Sequence, residues 1–311
     1  MIPPSKSVIS VPPGARESTT RSSESPVRAV LSRVVSPIVL LWGNTRARIG
    51  LVMLSLFILV ALLAPWIAPY SPTNESFGVM LPPSPAHLLG TTQLGQDVLS
   101  QLIWGSRTSL VVGAAAGGLV TSVAILIGLI SGFLQGWVDD VLMLITNVAL
   151  VIPGFPLMVV LSAYIPVHGM GVIIIVLSVT GWAWGARVLR SQMISLRSRD
   201  YVTSAAFSGD GMLRIVFREI LPNMTSLIAA SFMGAAMGAI LGEAGLEFLG
   251  FGNPQVVSWG TMLYWAENSS ALLAGQWAWI FAPGLALALL GTAIAFINFG
   301  IDIISNPKLE A

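Results

Sequence analysis

Five mostly apolar stretches of the chain contain no Asp, Glu, Lys or Arg, and each is long enough to cross a lipid bilayer. They cover residues 49–74, 108–138, 141–186, 220–242 and 268–301. A transmembrane helix needs about 20 mostly apolar residues, because each residue advances the helix by only about 1.5 Å. In the whole chain only 9% of residues are charged, whereas soluble domains carry about 25%. The sequence therefore predicts an all-α integral membrane protein.

The third stretch is too long for one helix and divides at a run of turn-forming residues. Pro166, Gly169 and Gly171 interrupt it, and proline and glycine in such a run mark a tight turn. We therefore interpret it as a helical hairpin, which brings the number of spans to six. The predicted spans are about 49–69, 108–134, 141–164, 171–190, 224–246 and 278–302.

The basic residues predict the orientation of these spans. With six spans, all but one of the 15 Lys and Arg residues fall on the same side of the membrane, and the exception is Arg107. Five or seven spans would scatter them over both sides. Because basic residues accumulate in cytoplasmic loops, both termini and the loop between the fourth and fifth spans are predicted to be cytoplasmic.

The remaining segments are assigned from their composition and from their place between the spans. The N-terminal tail is rich in Ser, Pro and Arg and is predicted to be disordered, and a short apolar segment after it is predicted to lie on the inner leaflet. Residues 70–107 and 247–277 are predicted to be extracytoplasmic. The predicted domains are a disordered tail 1–28, an interfacial helix 29–48, a transmembrane domain 49–306 with a cytoplasmic loop 191–222, and a cytoplasmic tail 307–311.

Two spans carry glycine at four-residue spacing, which places the glycines on one helix face. Because lipid provides no hydrophobic drive between helices, such smooth faces permit close packing. They fit packing within the chain or contact with a partner subunit, and the spacing leaves both open. Pro153 and Pro156 are expected to bend the third span. The glycines are Gly113, Gly117, Gly128, Gly132 and Gly136 in the second span and Gly234, Gly238 and Gly242 in the fifth.

Several kinds of chemistry are disfavoured. The chain has no cysteine, and His87 and His168 lie far apart and are expected to be ordinary loop residues. No metal cluster or carboxylate pair is expected at membrane depth. Glu243 should reach the outer interface, and Asp139-Asp140 should form a solvated turn. Ion-coupled carriers need ionisable groups within the membrane, so a self-sufficient secondary carrier is a disfavoured alternative, as is a membrane-embedded enzyme.

The loop before the fifth span reads as two short helices joined by a turn at residues 209–211. The second helix is amphipathic, with anchors at the spacing that suits a groove on a partner protein. A helix lying on the membrane surface would have the same pattern, so both interpretations stay open here. Its predicted apolar side contains Leu213, Phe217 and Ile220, and its polar side contains Arg214 and Arg218.

This loop resembles the cytoplasmic signature loop of ABC importer membrane subunits, whose pattern is E-A-A, three residues, G, nine residues, I-x-L-P. Aligned from Tyr201, the pattern places its E-A-A on Thr203, Ser204 and Ala205, its glycine on Gly209, and its L-P on Leu221 and Pro222. The chain departs from the pattern at Thr203, Ser204 and Glu219.

Two further segments resemble the C-type permease subunit of the dipeptide and oligopeptide branch. Residues 89–100 match LGTD-x-LGRD-x-x-S, with Thr92 and Gln96 in place of its usual acid and base. Residues 243–252 match EAALSFLGLG and are followed by Ser-Trp-Gly at 258–260. The matches run in order from about residue 46 to 309.

The resemblance implies a type I ABC importer fold in a bacterial or archaeal cytoplasmic membrane. This chain would form half of a pore that opens alternately to either side. The implied partners are a second homologous permease subunit, two cytoplasmic ATPase subunits or domains, and an extracytoplasmic substrate-binding protein. A phosphate-binding loop needs a lysine in a glycine-rich context, which Lys6 and Lys308 lack. No cofactor, catalytic residue, metal site or nucleic acid is therefore expected on this chain, and ATP and Mg²⁺ are expected on the ATPases.

The resemblance also implies site residues and a cargo. Residues 93–106 would form a short helix near the outer gate, and Pro222 would end the second loop helix. The expected cargo is a di- or oligopeptide; nickel complexes, glutathione or another small solute are alternatives. Residues implied in coupling to the ATPase are Thr203, Ser204, Ala205, Gly209, Arg214, Arg218, Leu221 and Pro222. Residues implied at the outer gate or a partner contact are Leu94, Asp97, Trp104, Glu243 and Trp259.

Overall fold

The structure is a computed structural model that describes residues 42–167 and 169–305, the last four of them by their backbone only. The predicted tails 1–28 and 307–311, most of the predicted interfacial helix 29–48, and His168 lie outside the described residues.

Within the described residues the helices are joined by turns and irregular segments, and the only β-type pairing is one isolated bridge between Thr91 and Asp97. Five of the helices, α1, α2, α5, α7 and α9, are long and apolar enough to cross a membrane, and α3 and α4 together form a sixth, bent candidate. The helices are α1 (Thr45–Ile67), α2 (Val98–Leu134), α3 (Gly136–Val151), α4 (Gly154–Tyr164), α5 (Met170–Arg197), α6 (Asp200–Phe207), α7 (Met212–Phe248), α8 (Trp259–Asn268) and α9 (Trp277–Ser305).

The contacts between helices show how the chain travels through the bundle. A methyl group added at Gly128 would lie 2.9 Å from Leu189 Cβ, and one added at Gly132 would lie 2.7 Å from Met193 Cβ. Along this contact the residue numbers of α2 and of α5 increase in the same direction, so the two helices are parallel. The chain must therefore return along the bundle between them, and the bent pair α3–α4 makes that return.

Pro153 breaks the return passage into its two helices. The axes of α3 and α4 meet at 88°, and Pro153 stands at the break in an extended conformation, with φ −60° and ψ 116°. Pro156 lies in the first turn of α4, where a missing backbone N–H costs nothing because no intrahelical partner exists. Of the two prolines expected to bend this span, only Pro153 does so.

The bundle has two chemically different ends. We call the end where α1 begins and α2 and α5 finish the basic end, because most of the described arginines lie there. The opposite end, formed by residues 68–97 and 249–276 with the helix ends that join them, is called the distal end. The arginines of the basic end are Arg46, Arg48, Arg187, Arg190, Arg197, Arg199, Arg214 and Arg218.

The glycines of α2 pack within the chain. Gly117 meets Ala236 of α7, where an added methyl group would lie 2.7 Å from the Ala236 Cα, and Gly113 meets Ile240 one turn away. Gly128 and Gly132 meet α5, as described above. By contrast, Gly234 and Gly238 of α7 have no atom within 4 Å of an added methyl group and line an open cavity of about 400 Å³. Gly242, the third glycine of that face, packs within the chain, because a methyl group added to it would lie 2.6 Å from Leu177 Cδ2 of α5. The glycine face of α7 is therefore open at two of its three positions.

Two expected helix boundaries are wrong. Residues 93–106 do not form a separate short helix: α2 begins at Val98 and continues unbroken to Leu134, because the buried Asp97 caps it there. Pro222 does not end the second loop helix either. It stands at the start of a 3₁₀ turn that follows a π-helical turn, where its missing N–H breaks no bond, so α7 runs on to Phe248.

Candidate functional site

The segment at the basic end, residues 198–224, contains α6, a tight turn and the irregular first turns of α7. Gly209 makes the turn with φ +84°, a conformation that side chains with a Cβ disfavour. The N–H of Gly209 donates to Ala206 O at 3.1 Å and the N–H of Asp210 donates to Ala205 O at 3.2 Å, which closes the end of α6. The two-helix reading of this loop is confirmed.

One side of this basic-end segment is fixed to the bundle. Val202, Ile215, Val216 and Ile220 are buried and pack in one apolar cluster with residues of α2 and α5, among them Met193. A buried aliphatic side chain of this kind stabilises the fold by about 1.5–3 kcal/mol. The segment is therefore packed firmly against α2 and α5.

The other side presents an apolar patch, which we define as Tyr201, Phe207, Leu213 and Phe217. Phe207 is 88% exposed, Leu213 70% and Phe217 63%. Ile220 was expected on the same side but is fully buried. The π-helical turn Ile215–Ile220 is wider than an α-helical turn, so it rotates Ile220 away from Phe217 and into the core.

The predicted coupling residues surround this patch. The hydroxyls of Thr203 and Ser204 are exposed and donate back to Arg199 O and Asp200 O. Arg214 donates to Asp210 at 2.7 Å, an exposed pair. The other predicted residues follow the same segment: Ala205 and Leu221 are half-buried against its apolar cluster, and Gly209, Arg218 and Pro222 are exposed.

A bidentate ion pair lies beside this segment and contradicts the expectation of a solvated Asp139. Arg190 donates to the two carboxylate oxygens at 2.6 and 2.5 Å, and Asp139 is only 8% exposed. Arg187 donates to Asn147 at 2.6 Å one turn away. Both contacts join α3 to α5. Because α2 and α5 are parallel and closely packed, α3, which follows α2 along the chain, lies beside Arg190 of α5.

At the distal end, Asp97 joins the 70–97 segment to α2. One carboxylate oxygen accepts from the Ser100 N–H at 2.8 Å and from its hydroxyl at 2.7 Å. The other lies 2.9 Å from His87 Nδ1, and the rings of Tyr70 and Phe77 pack against His87. His87 is thus a loop residue, as expected, but one that is buried and contacts Asp97.

The remaining residues predicted for the outer gate differ in their exposure. Leu94 is exposed and lies outside any helix, whereas Asp97 and Gln101 are buried. Trp104 is half-buried beneath Arg107. Trp259 is buried and donates through its indole N–H to Leu102 O at 3.1 Å.

Glu243 lies in a buried polar cluster that the sequence interpretation missed. We define this distal cluster as Ser109, Glu243, Glu247 and Ser258. Glu243 has no exposed surface and Glu247 is 5% exposed. Ser109 donates to Glu243 Oε1 at 3.3 Å, Ser258 donates to Glu247 Oε2, and Glu243 Oε2 has no hydrogen-bond partner. The sequence interpretation placed Glu243 at the outer interface and did not anticipate a second buried carboxyl group beside it. The spacing of the two glutamates, four residues apart on one helix, was the available signal.

Comparison with known proteins gives matches along most of the chain. Residues 124–309 match the family described as binding-protein-dependent transport system inner membrane component. Residues 41–83 match the N-terminal TM domain of oligopeptide transport permease C.

Individual relatives match over a similar length. A putative peptide permease protein of Brucella suis biovar 1 (strain 1330) is 34% identical, covering 86% of this chain and 88% of the relative. The dipeptide transport system permease protein DppC of Bacillus subtilis (strain 168) is 31% identical, covering 86% and 83%. The oligopeptide transport system permease protein OppC of Mycobacterium tuberculosis (strain ATCC 25618 / H37Rv) is 32% identical, covering 79% and 85%.

Proposed function

Because the chain belongs to the family of binding-protein-dependent transport system inner membrane components, it is a multi-pass pore subunit of an ABC importer in the bacterial cytoplasmic membrane, and we propose that its cargo is a di- or oligopeptide. Three relatives named for peptide, dipeptide or oligopeptide transport, each at least 31% identical, support the peptide cargo. Nickel complexes, glutathione and other small solutes remain the alternative cargoes of the same machinery.

The basic-end segment is our candidate for the contact with the ATPase. Its apolar patch is the observation that carries this proposal. Charged side chains surround the patch on the same short helices, namely Arg199, Asp200, Asp210, Arg214 and Arg218. A surface that mixes exposed aromatic rings with this many charges is unfavourable in contact with lipid tails. It has the composition of a protein interface, with aromatic anchors inside a polar rim.

The path from this contact to the pore follows α7. The patch residues Leu213 and Phe217 lie in the first turns of α7, and the same helix continues to Phe248 at the distal end. A push on the patch therefore moves a single helix that spans the bundle. Gly234 and Gly238, which line the open cavity of about 400 Å³, lie on this helix and leave room for cargo or for a helix of the second subunit.

The remaining parts of the proposal concern orientation and partners. The basic end is taken as cytoplasmic because basic residues accumulate on that side, so the fold is a six-span type I importer subunit with cytoplasmic termini. The distal end then faces the substrate-binding protein and the second permease subunit. ATP and Mg²⁺ bind to two cytoplasmic ATPase subunits or domains, which do the chemistry, while this chain moves the solute.

Reconstitution tests the cargo and the dependence on partners together. Liposomes that contain the chain with its second permease subunit and ATPases, with the binding protein added outside, are expected to accumulate labelled peptides when ATP is enclosed. Liposomes with the chain alone are the control and are expected to accumulate none. Uptake of nickel complexes or glutathione in preference to peptides would contradict the peptide cargo, and uptake by the chain alone would contradict the importer mechanism.

A further inference from the structure

The distal cluster holds two acidic side chains where water does not reach. Glu243 and Glu247 are one turn apart on the same face of α7, with 0% and 5% exposure. The groups that donate hydrogen bonds to them are neutral: the Ser109 hydroxyl to Glu243 and the Ser258 hydroxyl to Glu247. A buried negative charge is stable only when it is paired or well hydrogen-bonded, so two such charges side by side require a positive charge that these contacts do not supply.

The described residues supply no such positive charge. Their ion pairs join Asp139 with Arg190 and Asp210 with Arg214, His87 contacts Asp97, and none of these contacts includes either glutamate. Among the side chains that the structure describes, the titratable groups on the helices that pack against α7 are Arg107 on α2, Tyr164 on α4, Arg187, Arg190 and Arg197 on α5, Asp200 and Tyr201 on α6, and Tyr264 and Glu267 on α8.

Most of these groups are directed elsewhere. Arg107 stacks over Trp104, and the α5 arginines belong to the basic end. Tyr264 lines a small cavity of about 20 Å³ beside Glu247, but its phenol group offers no positive charge. Glu219 is the last charged residue on α7 before Glu243. It lies 24 residues earlier, which is about 36 Å along a helix, so the charges at the start of α7 do not reach the distal cluster.

We propose that the distal cluster is a proton-binding site, in which Glu243 stays protonated and donates to an ionised Glu247. The two carboxyls are assigned from their surroundings. Glu247 accepts from Ser258, the N-cap of α8, so its negative charge lies at the N-terminus of a ten-residue helix, which favours an anion. Glu243 is completely buried, and its Oε2 has no partner until a proton turns that oxygen into a donor.

The surrounding glycines show that the site is built for the Glu247 carboxylate. A methyl group added at Gly260 would lie 2.7 Å from Glu247 Oε2, and one at Gly252 would lie 2.6 Å from Glu247 Cγ. A metal ion fits less well than a proton, because no third carboxylate or histidine joins the pair among the residues that the structure describes. Since Ser109 is on α2 and Ser258 begins α8, the proton holds three helices together at the distal end.

The consequence is a loss of transport at alkaline pH. Removing the proton leaves two adjacent buried negative charges, so the junction of α2, α7 and α8 is stable when Glu243 is protonated and weakens as pH rises. Beyond the midpoint, the protonated fraction falls about tenfold for each further pH unit. Glu243→Gln keeps the shape and the donor but has no proton to lose. This consequence for transport rests on the proposed function, whereas the location of the proton does not.

Infrared difference spectroscopy of the assembled complex locates the proton. The wild type is expected to show the C=O stretch of a protonated carboxyl group at neutral pH, Glu243→Gln to lose it, and Glu247→Gln to keep it. An unchanged band in Glu243→Gln would overturn the proposal. So would a wild type in which both carboxyls are ionised and Na⁺ or K⁺ is required for thermal stability, which would make this a cation site.

The pH profile of peptide uptake gives a second readout. We expect the wild type to lose uptake about tenfold per pH unit on the alkaline side, and Glu243→Gln to keep its uptake over the same range. Identical profiles for both would overturn the role in transport. Absence of uptake in every complex at every pH would contradict the proposed function instead, and would leave the infrared result as the test of the proton site.

Discussion

The two ends of α7 are built in opposite ways. At the basic end the helix begins with a π-helical and a 3₁₀ turn and exposes apolar side chains, with Phe217 63% exposed. At the distal end it is regular and buries acidic side chains, with Glu243 0% exposed. Each end is unusual for its surroundings, since apolar groups are normally buried and carboxylates normally exposed. The helix is anchored by polar contacts at its distal end, and on the proposed function a partner would cover its other end.

Because of this difference, we expect changes at the distal end to affect stability and changes at the basic end to affect activity. Changes at the distal end should loosen the bundle, because they remove contacts that the chain makes with itself. Changes on the apolar patch should leave the bundle intact and affect only its work with the ATPase. The predictions below test this separation.

The largest effect is expected from the patch itself. Phe207→Ser and Phe217→Ser should each weaken ATPase binding by at least about 30-fold, because buried aromatic anchors contribute about 2 kcal/mol or more to an interface. Binding of the purified ATPase to the permease pair in detergent measures this. Leu88→Ser is the matched control, because Leu88 is also 63% exposed but lies at the distal end. Equal losses in the control would remove the distinction between the two ends.

A smaller effect is expected from the turn that positions the patch. Gly209→Val forces a β-branched residue into φ +84°, a conformation that costs a residue with a Cβ about 1–2 kcal/mol. Substrate-stimulated ATP hydrolysis should therefore fall about tenfold while membrane insertion persists. Gly211→Val is the control, because Gly211 has φ −72°, which valine adopts readily. Normal stimulation in Gly209→Val would refute the role of the turn.

The smallest effect is expected from a contact that belongs to the distal end alone. Asp97→Ala removes the cap of α2 and the partner of His87, and the lost cap alone costs about 1 kcal/mol. Amide hydrogen exchange in residues 70–97 should become about fivefold faster, with no change in residues 198–224. Asp140→Ala, at an exposed site, is the control. Faster exchange in both segments would show that the ends are not independent.

The sequence predicted the path of the chain better than the surroundings of its polar residues. Charge-free stretches were enough to predict five long apolar helices and a bent sixth candidate, because lipid imposes a length and a composition on each span. The tight turn at Gly209 and the position of Trp259 in the distal end also followed from motifs. These features depend on local composition, which a single chain records directly.

What the sequence did not predict depends on contacts between distant residues. Asp139 pairs with Arg190 because α2 and α5 are parallel and close, and no local pattern states which helices are neighbours. His87 and Asp97 meet across a folded loop, and Glu243 meets Ser109 across two helices. The inward rotation of Ile220 arises from one extra residue in a π-helical turn, which the apolar spacing alone does not reveal.

Cross-linking tests the central claim most directly, because the chain contains no cysteine and each introduced thiol is the only one on this subunit. Phe217→Cys and Leu88→Cys replace side chains of equal exposure, 63%, at opposite ends of the bundle. In the assembled importer, a short thiol–amine cross-linker should join the Phe217→Cys chain to the ATPase and should not join the Leu88→Cys chain to it. A cross-link to the ATPase from Leu88→Cys, with none from Phe217→Cys, would contradict the account.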